Sequence, residues 1–366
     1  MKIYPFKASY PKGELITSPK SFFSSIKHQY REYKQNNFYK ELGKESLFVY
    51  RIKNGDRSHV GILTLTDVKE MSKRNVMKHE KTLAAKEQQM MHLIIQRNAL
   101  VKPVLLGYKS NSQIKKIVHA VTKEKPLLNI PFKAEDEVHT VWQIKDENTV
   151  SGLVKAFSKI KKAYIGDGHH RSTTIKLLSQ SKELGKDAQR FKLFYTAYFP
   201  FEELRICDYN RAVDINEIMS IPEFIVGLSK YFDITPIDGP QKPKKKHHVT
   251  TYIDGNWYRL KWRAAYLPGG KKKILLDSAL LNKHIFGTIL GIKDVRVDTR
   301  ISYFGGTQPL GKIENAVRKM GKGIGFCIYP VSVKELTALA DSGETLPPKS
   351  TWFLPRLRSG VIAHDL

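Results

Sequence analysis

The densest group of reactive side chains in this sequence is Tyr164-Ile165-Gly166-Asp167-Gly168-His169-His170-Arg171-Ser172-Thr173-Thr174-Ile175-Lys176-Leu177-Leu178. Two glycines flank one aspartate, and two histidines and an arginine follow directly. A glycine turn that leads into a helix gathers backbone N–H groups and the helix N-terminus at one point, which attracts anions. Arg171 adds a planar, permanently charged fork that matches phosphate. His169 and His170 can donate hydrogen bonds or carry protons near neutral pH. Asp167 can orient a histidine or bind Mg²⁺, which prefers oxygen ligands. The motif is neither a Walker loop, which needs Gly-Lys-Ser/Thr, nor GxGxxG, which needs a third glycine.

Two further groups carry chemistry. His79-Glu80 begins like the zinc-protease HExxH, but Leu83 stands where the second histidine belongs, so a zincin is excluded. Taken alone, the pair reads as a solvent-facing turn or helix start. Near the end, Lys349-Ser350-Thr351 follows Pro347-Pro348. One cation and two hydroxyls in a proline-framed turn make either a phosphate or carboxylate grip or a rigid closing loop.

The elements around these residues follow from pattern. Ala163 to Ile165 is a short apolar strand entering the glycine turn, and Ile175 and Leu178 mark one face of the helix after it. Helices are expected at Ser21–Tyr39, Ala85–Asn98, Thr149–Ile160, 221–231, Leu275–Leu290 and Val333–Ser342. Strands are expected at Leu47–Ile52, Ser58–Thr66, Val101–Leu106, Lys116–Thr122, Val138–Ile144, Phe191–Phe199 and Ile324–Tyr329. Asp254-Gly255-Asn256 joins Val249–Ile253 to Tyr258–Trp262 as a hairpin. The basic runs at Lys244–Lys246 and Lys271–Lys273 read as solvated loops. Helices and strands mix without regular alternation, which predicts an α+β fold.

The chain has 366 residues, 41% of them hydrophobic and 10% aromatic, enough for two or three cores. With 62 Lys and Arg against 35 Asp and Glu, the formal charge is +27, which favours anionic partners such as nucleotides, phosphorylated metabolites or nucleic acid. The excess is mostly lysine spread along the chain, where a nucleic-acid binder would concentrate it in a stripe. No apolar run is long enough to span a membrane, and Met1–Phe6 has no signal-peptide core. Cys207 and Cys327 stand far apart in neither a CxxC nor a zinc pattern. These features together predict a cytoplasmic protein with no membrane partner.

The strand–Gly-Asp-Gly-His-His-Arg–helix sequence, preceded by a His-Glu pair, a helix and an apolar strand after Pro103, resembles the core of the ParB and sulfiredoxin superfamily. Within it, the DGHHR sequence is similar to that of the free-serine kinases. Pro5-Phe6-Lys7-Ala8, Lys78-His79-Glu80, Asp167 to Arg171 and Pro347 to Thr351 together resemble the bacterial family called domain of unknown function ten-fifteen, over nearly the whole chain. Two positions depart from that pattern: Asn210-Arg211 where His-Arg is frequent, and Ser172 where tyrosine is frequent.

The resemblance implies a catalytic core at 76–190, an α+β segment at 1–75 before it and an α+β domain at 191–366 that closes over the site. It implies a kinase that phosphorylates free L-serine to O-phosphoserine and leaves the donor open among ATP, ADP and pyrophosphate, with Mg²⁺ at Asp167. Gly166, Gly168, His169, His170 and Arg171 would cradle phosphate, with Lys349, Ser350 and Thr351 completing the cradle. Glu80 would be the general base, with Asp167 and His169 catalytic beside it, and His79 a substrate contact. A ParB-like, nucleotide-dependent DNA-binding protein is the alternative, although no helix-turn-helix pattern follows the core. A metal nuclease ranks last because no carboxylate cluster lies near the motif.

Overall fold

The computed structural model describes residues 1–267 and 274–366. The expected loop at Lys271–Lys273 lies outside the described residues. The chain divides into two compact units, one of residues 1–205 with 355–366, the other of residues 206–354. These bounds differ from the three segments expected, because strands from residues 47–67 and from 76–200 share one sheet.

In the first unit, β1 (Leu47–Asn54) and β2 (Arg57–Asp67) form a hairpin. They are followed by β3 (Val76–Met77), α2 (Ala84–Arg97), β4 (Val104–Tyr108), α3 (Ser112–Val121), β5 (Leu128–Phe132), β6 (Glu137–Ile144), α4 (Glu147–Ser158), β7 (Ala163–Asp167), α5 (His169–Ser179) and β8 (Leu193–Pro200), with α1 (Pro19–Gln35) ahead of them all. The sheet runs β3-β7-β4-β8-β2-β1-β6-β5, and a short strand at Ile3–Tyr4 pairs with β2 as the ninth. Pairings β3/β7 and β4/β8 are parallel, and the rest are antiparallel. Leu47, Phe48, Val49 and Tyr50 are all buried, so β1 is covered on both faces and lacks in–out alternation.

One element differs in kind from expectation. Lys116–Val121 belongs to helix α3, and Thr122 caps its C-terminus. The apolar run Ile117-Val118 reads as a strand on its own, but Asn111 caps the helix by accepting from the N–H groups of Gln113 and Ile114, and Ile114 and Val121 fall on its buried face.

In the second unit, β9 (Tyr209–Asp214), β10 (Phe232–Ile237), β11 (His248–Ile253), β12 (Asn256–Trp262), β13 (Ile301–Gly305) and β14 (Gly323–Ile328) form an antiparallel sheet ordered β10-β12-β11-β14-β9-β13. Alternate residues face two cores. Val213, Leu260, Ile324 and Phe326 meet α6 (Ile221–Ser229) and a π-helical run at Leu281–Ile289. Ala212, Tyr252 and Cys327 meet α7 (Gly311–Met320). The last helix, α8 (Val333–Ser342), opens with a Ser332–Glu335 capping box. The Lys244–Lys246 run is a loop, as expected, and Lys246 is paired with Glu335. Among the described residues, no helix is long and apolar enough to cross a membrane.

Phe157, on α4, is fully buried against Tyr108 and Tyr198 of the sheet. Phe157→Ala should cost the first unit about 3–5 kcal/mol. Leu177→Ala, at a position 40% exposed, should cost less than about 1 kcal/mol. Urea unfolding followed by near-UV circular dichroism checks both, and equal costs would contradict this account of the core.

Candidate functional site

The glycine motif sits where β7 becomes α5. Ile165 pairs with Leu106 but Asp167 pairs with Leu105, so one extra residue, Gly166, forms a bulge. Bulges re-aim the side chain that follows, here Asp167. Gly168 then takes φ +102°, a left-handed conformation open to glycine. A Cβ there would also lie 2.7 Å from Arg171 Nη2. The arginine folds back over the glycine, so the second glycine of the motif serves two needs at once.

Asp167 is the electrostatic centre. Arg171 Nη2 donates to its Oδ2 at 2.7 Å, and Arg356 Nη1 lies 3.5 Å from its Oδ1. Burial disfavours its charge, but Arg171, Lys102 and Arg356 outweigh burial and hold the carboxyl well below its usual range. Arg171 also donates to Pro103 O at 3.2 Å, while its buried Nε–H has no hydrogen-bond partner among the described residues. Burial, reinforced by Arg171, brings the Lys102 ammonium down to about 8. Arg358, two residues beyond Arg356, is bound to Glu137 at 2.7 Å. Three cations, Lys102, Arg171 and Arg356, thus face one carboxylate. Behind Arg171 and Lys102 lies a cavity of about 80 Å³, with Met90, Leu93, Val104 and Phe194 among its apolar walls.

The His-Glu pair comes to the same place by topology. Val76 and Met77 pair in parallel with Ala163 and Tyr164, so the segments leaving both strands emerge at the same sheet edge. Lys78 Nζ donates to Thr173 Oγ1 on α5 at 2.6 Å. The backbone N–H of His79 donates to His169 Nε2 at 3.4 Å, and Glu80 Oε2 lies 3.5 Å from His169 Nδ1. The rings of His79 and His169 meet edge to face, centroids 4.4 Å apart. His79 is fully buried and Glu80 half-buried. The pair is therefore not the solvent-facing turn it resembles in isolation. Burial alone lowers His79 to about 3. Burial, with His79 beside it, pushes His169 far down as well. Both rings are neutral at physiological pH.

The first unit brings Glu80, Gly166, Asp167, Gly168, His169, His170 and Arg171 into one neighbourhood. Lys102 and Arg356 join them without having been expected. A lone lysine in a chain with so many carries no signal, and Arg356 is more than 180 residues from Asp167 in sequence.

Lys349, Ser350 and Thr351 belong to the second unit and form a turn there. Lys349 has φ +55°, and its carbonyl accepts from Arg211 Nη2 at 2.9 Å. Ser350 Oγ is bonded to Ser278 Oγ and to Pro347 O, both at 2.7 Å, and Thr351 Oγ1 is buried without a hydrogen-bond partner among the described residues. Asn210 is buried, and its side-chain oxygen accepts from the Ile328 N–H at 3.2 Å.

Solved structures with similarity to this chain include a free serine kinase mutant in complex with AMP, at 13% identity and TM-score 0.39, covering 80% of this chain and 87% of that one. SbnI with C-terminal truncation from Staphylococcus aureus has 13% identity and TM-score 0.37, covering 82% and 87%. A conserved hypothetical protein from Pyrococcus furiosus has 11% identity and TM-score 0.38, covering 81% and 94%. No curated protein matches the sequence. The family model described as protein of unknown function (DUF1015) matches residues 7–282, and the chain belongs to that family.

Proposed function

We propose that this protein is a small-molecule phosphotransferase that binds a nucleotide or pyrophosphate donor and phosphorylates free L-serine to O-phosphoserine. One observation carries the reading: three cations, Lys102, Arg171 and Arg356, surround a single carboxylate at the start of helix α5. That excess positive charge and the glycine turn are the means of holding a polyphosphate.

In this proposal the donor phosphates lie against the backbone of Gly166 and Gly168 and against His170, Arg171, Lys102 and Arg356. Asp167 anchors Arg171 rather than touching the substrate. The cavity beside Arg171 and Lys102, about 80 Å³, is far smaller than a pocket for a drug-sized ligand, and the donor stays open among ATP, ADP and pyrophosphate. His169 and His79 hold Glu80 in place. Glu80 takes the serine hydroxyl proton as that oxygen attacks phosphorus, and the donor's bridging oxygen leaves with its electron pair. Lys349, Ser350 and Thr351 are proposed as an anion-holding turn within the second unit, with the exposed Lys349 ammonium as its charged group.

Mg²⁺ is the metal such chemistry ordinarily uses, and it neutralises donor phosphates when bound. Asp167 does not fit as its ligand, because arginines face both carboxylate oxygens.

Phosphorus NMR of the protein with L-serine and, separately, ATP, ADP and pyrophosphate tests the reading. O-phosphoserine from one donor names it, and no product from any donor would sink the serine assignment. Arg171→Ala should weaken donor binding by about tenfold to a hundredfold, the worth of charge-assisted hydrogen bonds. Glu80→Gln should leave donor affinity unchanged and lower turnover by about 10²–10⁴-fold; a full rate in that variant would remove Glu80 as the base.

The Lys102 value of about 8 gives a pH dependence with a definite sign. As pH rises through about 8, Lys102 loses its charge and donor affinity should fall. Its folded-state pKa lies below the unfolded one, so the same deprotonation relieves a burial cost and raises stability over that window. Lys102→Arg should remove the step in affinity measured by calorimetry, and persistence of the step would assign it to another group.

A further inference from the structure

We propose that His79, Glu80 and His169 form a binding site for one divalent transition-metal ion of the zinc class. The inference goes beyond the phosphotransferase reading and does not rest on it, although the two share Glu80.

Each of the three residues offers one ligand atom, and these atoms all lie within 4.8 Å of one another. Two imidazole nitrogens and one carboxylate oxygen form the donor set of zinc sites that keep a fourth position open for water or substrate. Such a set is wrong for Mg²⁺, which wants oxygen in octahedral array. The geometry is close to what zinc requires. With ligand bonds of about 2.1 Å, neighbouring corners of a tetrahedron are about 3.4 Å apart, and His169 Nδ1 and Glu80 Oε2 are 3.5 Å apart. His79 closes the third corner by side-chain rotation, its ring already lying against that of His169.

The surroundings favour the same occupant. Both histidines are buried side chains of fixed position. Glu80, half-buried, leaves the site open to water on one side. The two carrying segments are fixed to each other by the parallel pairing of β3 with β7 and by the Lys78–Thr173 hydrogen bond. Coordination through His169 Nδ1 moves that ring's proton to Nε2 and gives up the long contact from the His79 N–H, 3.4 Å in the free site.

The test uses the full chain, stripped with a chelator and free of phosphate compounds. Zn²⁺ alone is titrated by calorimetry, and Co²⁺ alone is followed by its visible spectrum. The expected result is one ion per chain, the intense Co²⁺ absorption of four-coordinate geometry, and no competition from Mg²⁺. Glu80→Gln, nearly isosteric at a half-buried position, should weaken Zn²⁺ by at least about tenfold, and His79→Leu should do the same. Arg171→Ala, which removes the proposed phosphate ligand, should leave Zn²⁺ binding intact, so loss of one site is distinguishable from loss of the other. Should His79→Leu fail to fold by circular dichroism, Glu80→Gln carries the test. Unchanged Zn²⁺ affinity in Glu80→Gln, or a weak octahedral Co²⁺ spectrum, would overturn the proposal by assigning the ion to surface histidines.

Discussion

The carboxylate of Asp167 lies among more positive charge than it can neutralise, and the first unit is arranged around that imbalance. Lys102 precedes β4, Arg171 is in the first turn of α5, and Arg356 lies on the segment that returns to this unit after residue 354. Without Asp167, those three cations would repel one another in a partly dry environment, which is costly for buried charge. With it, the cluster holds together and keeps a surplus. Asp167 reaches the position only because the bulge at Gly166 adds one residue to β7. In a regular strand the alternation of side chains would send that carboxylate to the other face.

The second unit shows a related constraint without a carboxylate. The Arg211 side chain is fully buried, and its guanidinium donates to Asn282 Oδ1 at 3.1 Å and to the Lys349 carbonyl. It also lies over the rings of Phe286 and Tyr303. Burial brings it down to about 10, still charged at neutral pH. A neutral oxygen from the Lys349 turn therefore does part of the work of a counter-ion. That binds the left-handed backbone of Lys349 to the interior of the unit.

The local half of the site was legible in the sequence. A strand, a glycine turn and a helix lie within a few residues, and each leaves a signal that needs no partner. The non-local half was legible only through the family resemblance, for His79 and Glu80, and not at all for Lys102 and Arg356. Val76–Met77 is a two-residue strand, too short to show a period, yet its parallel pairing is what carries His79 and Glu80 to His169. Lys102 and Arg356 were hidden for different reasons, one among many lysines and one by distance along the chain. The fold class, mixed α and β, followed from composition and pattern. The boundaries did not, because the first unit is discontinuous. At Lys116–Thr122 the apolar run fits either period, and the deciding group is the side chain of Asn111, several residues upstream.

That discontinuity gives the molecule an order of assembly in time. The chain leaves the first unit at Arg205 and re-enters it at Pro355. During synthesis, β7 and α5 emerge long before Arg356, so the nascent first unit holds Asp167 and Arg171 while it lacks the second arginine. The charge frame is completed only after every residue of the other unit has been translated.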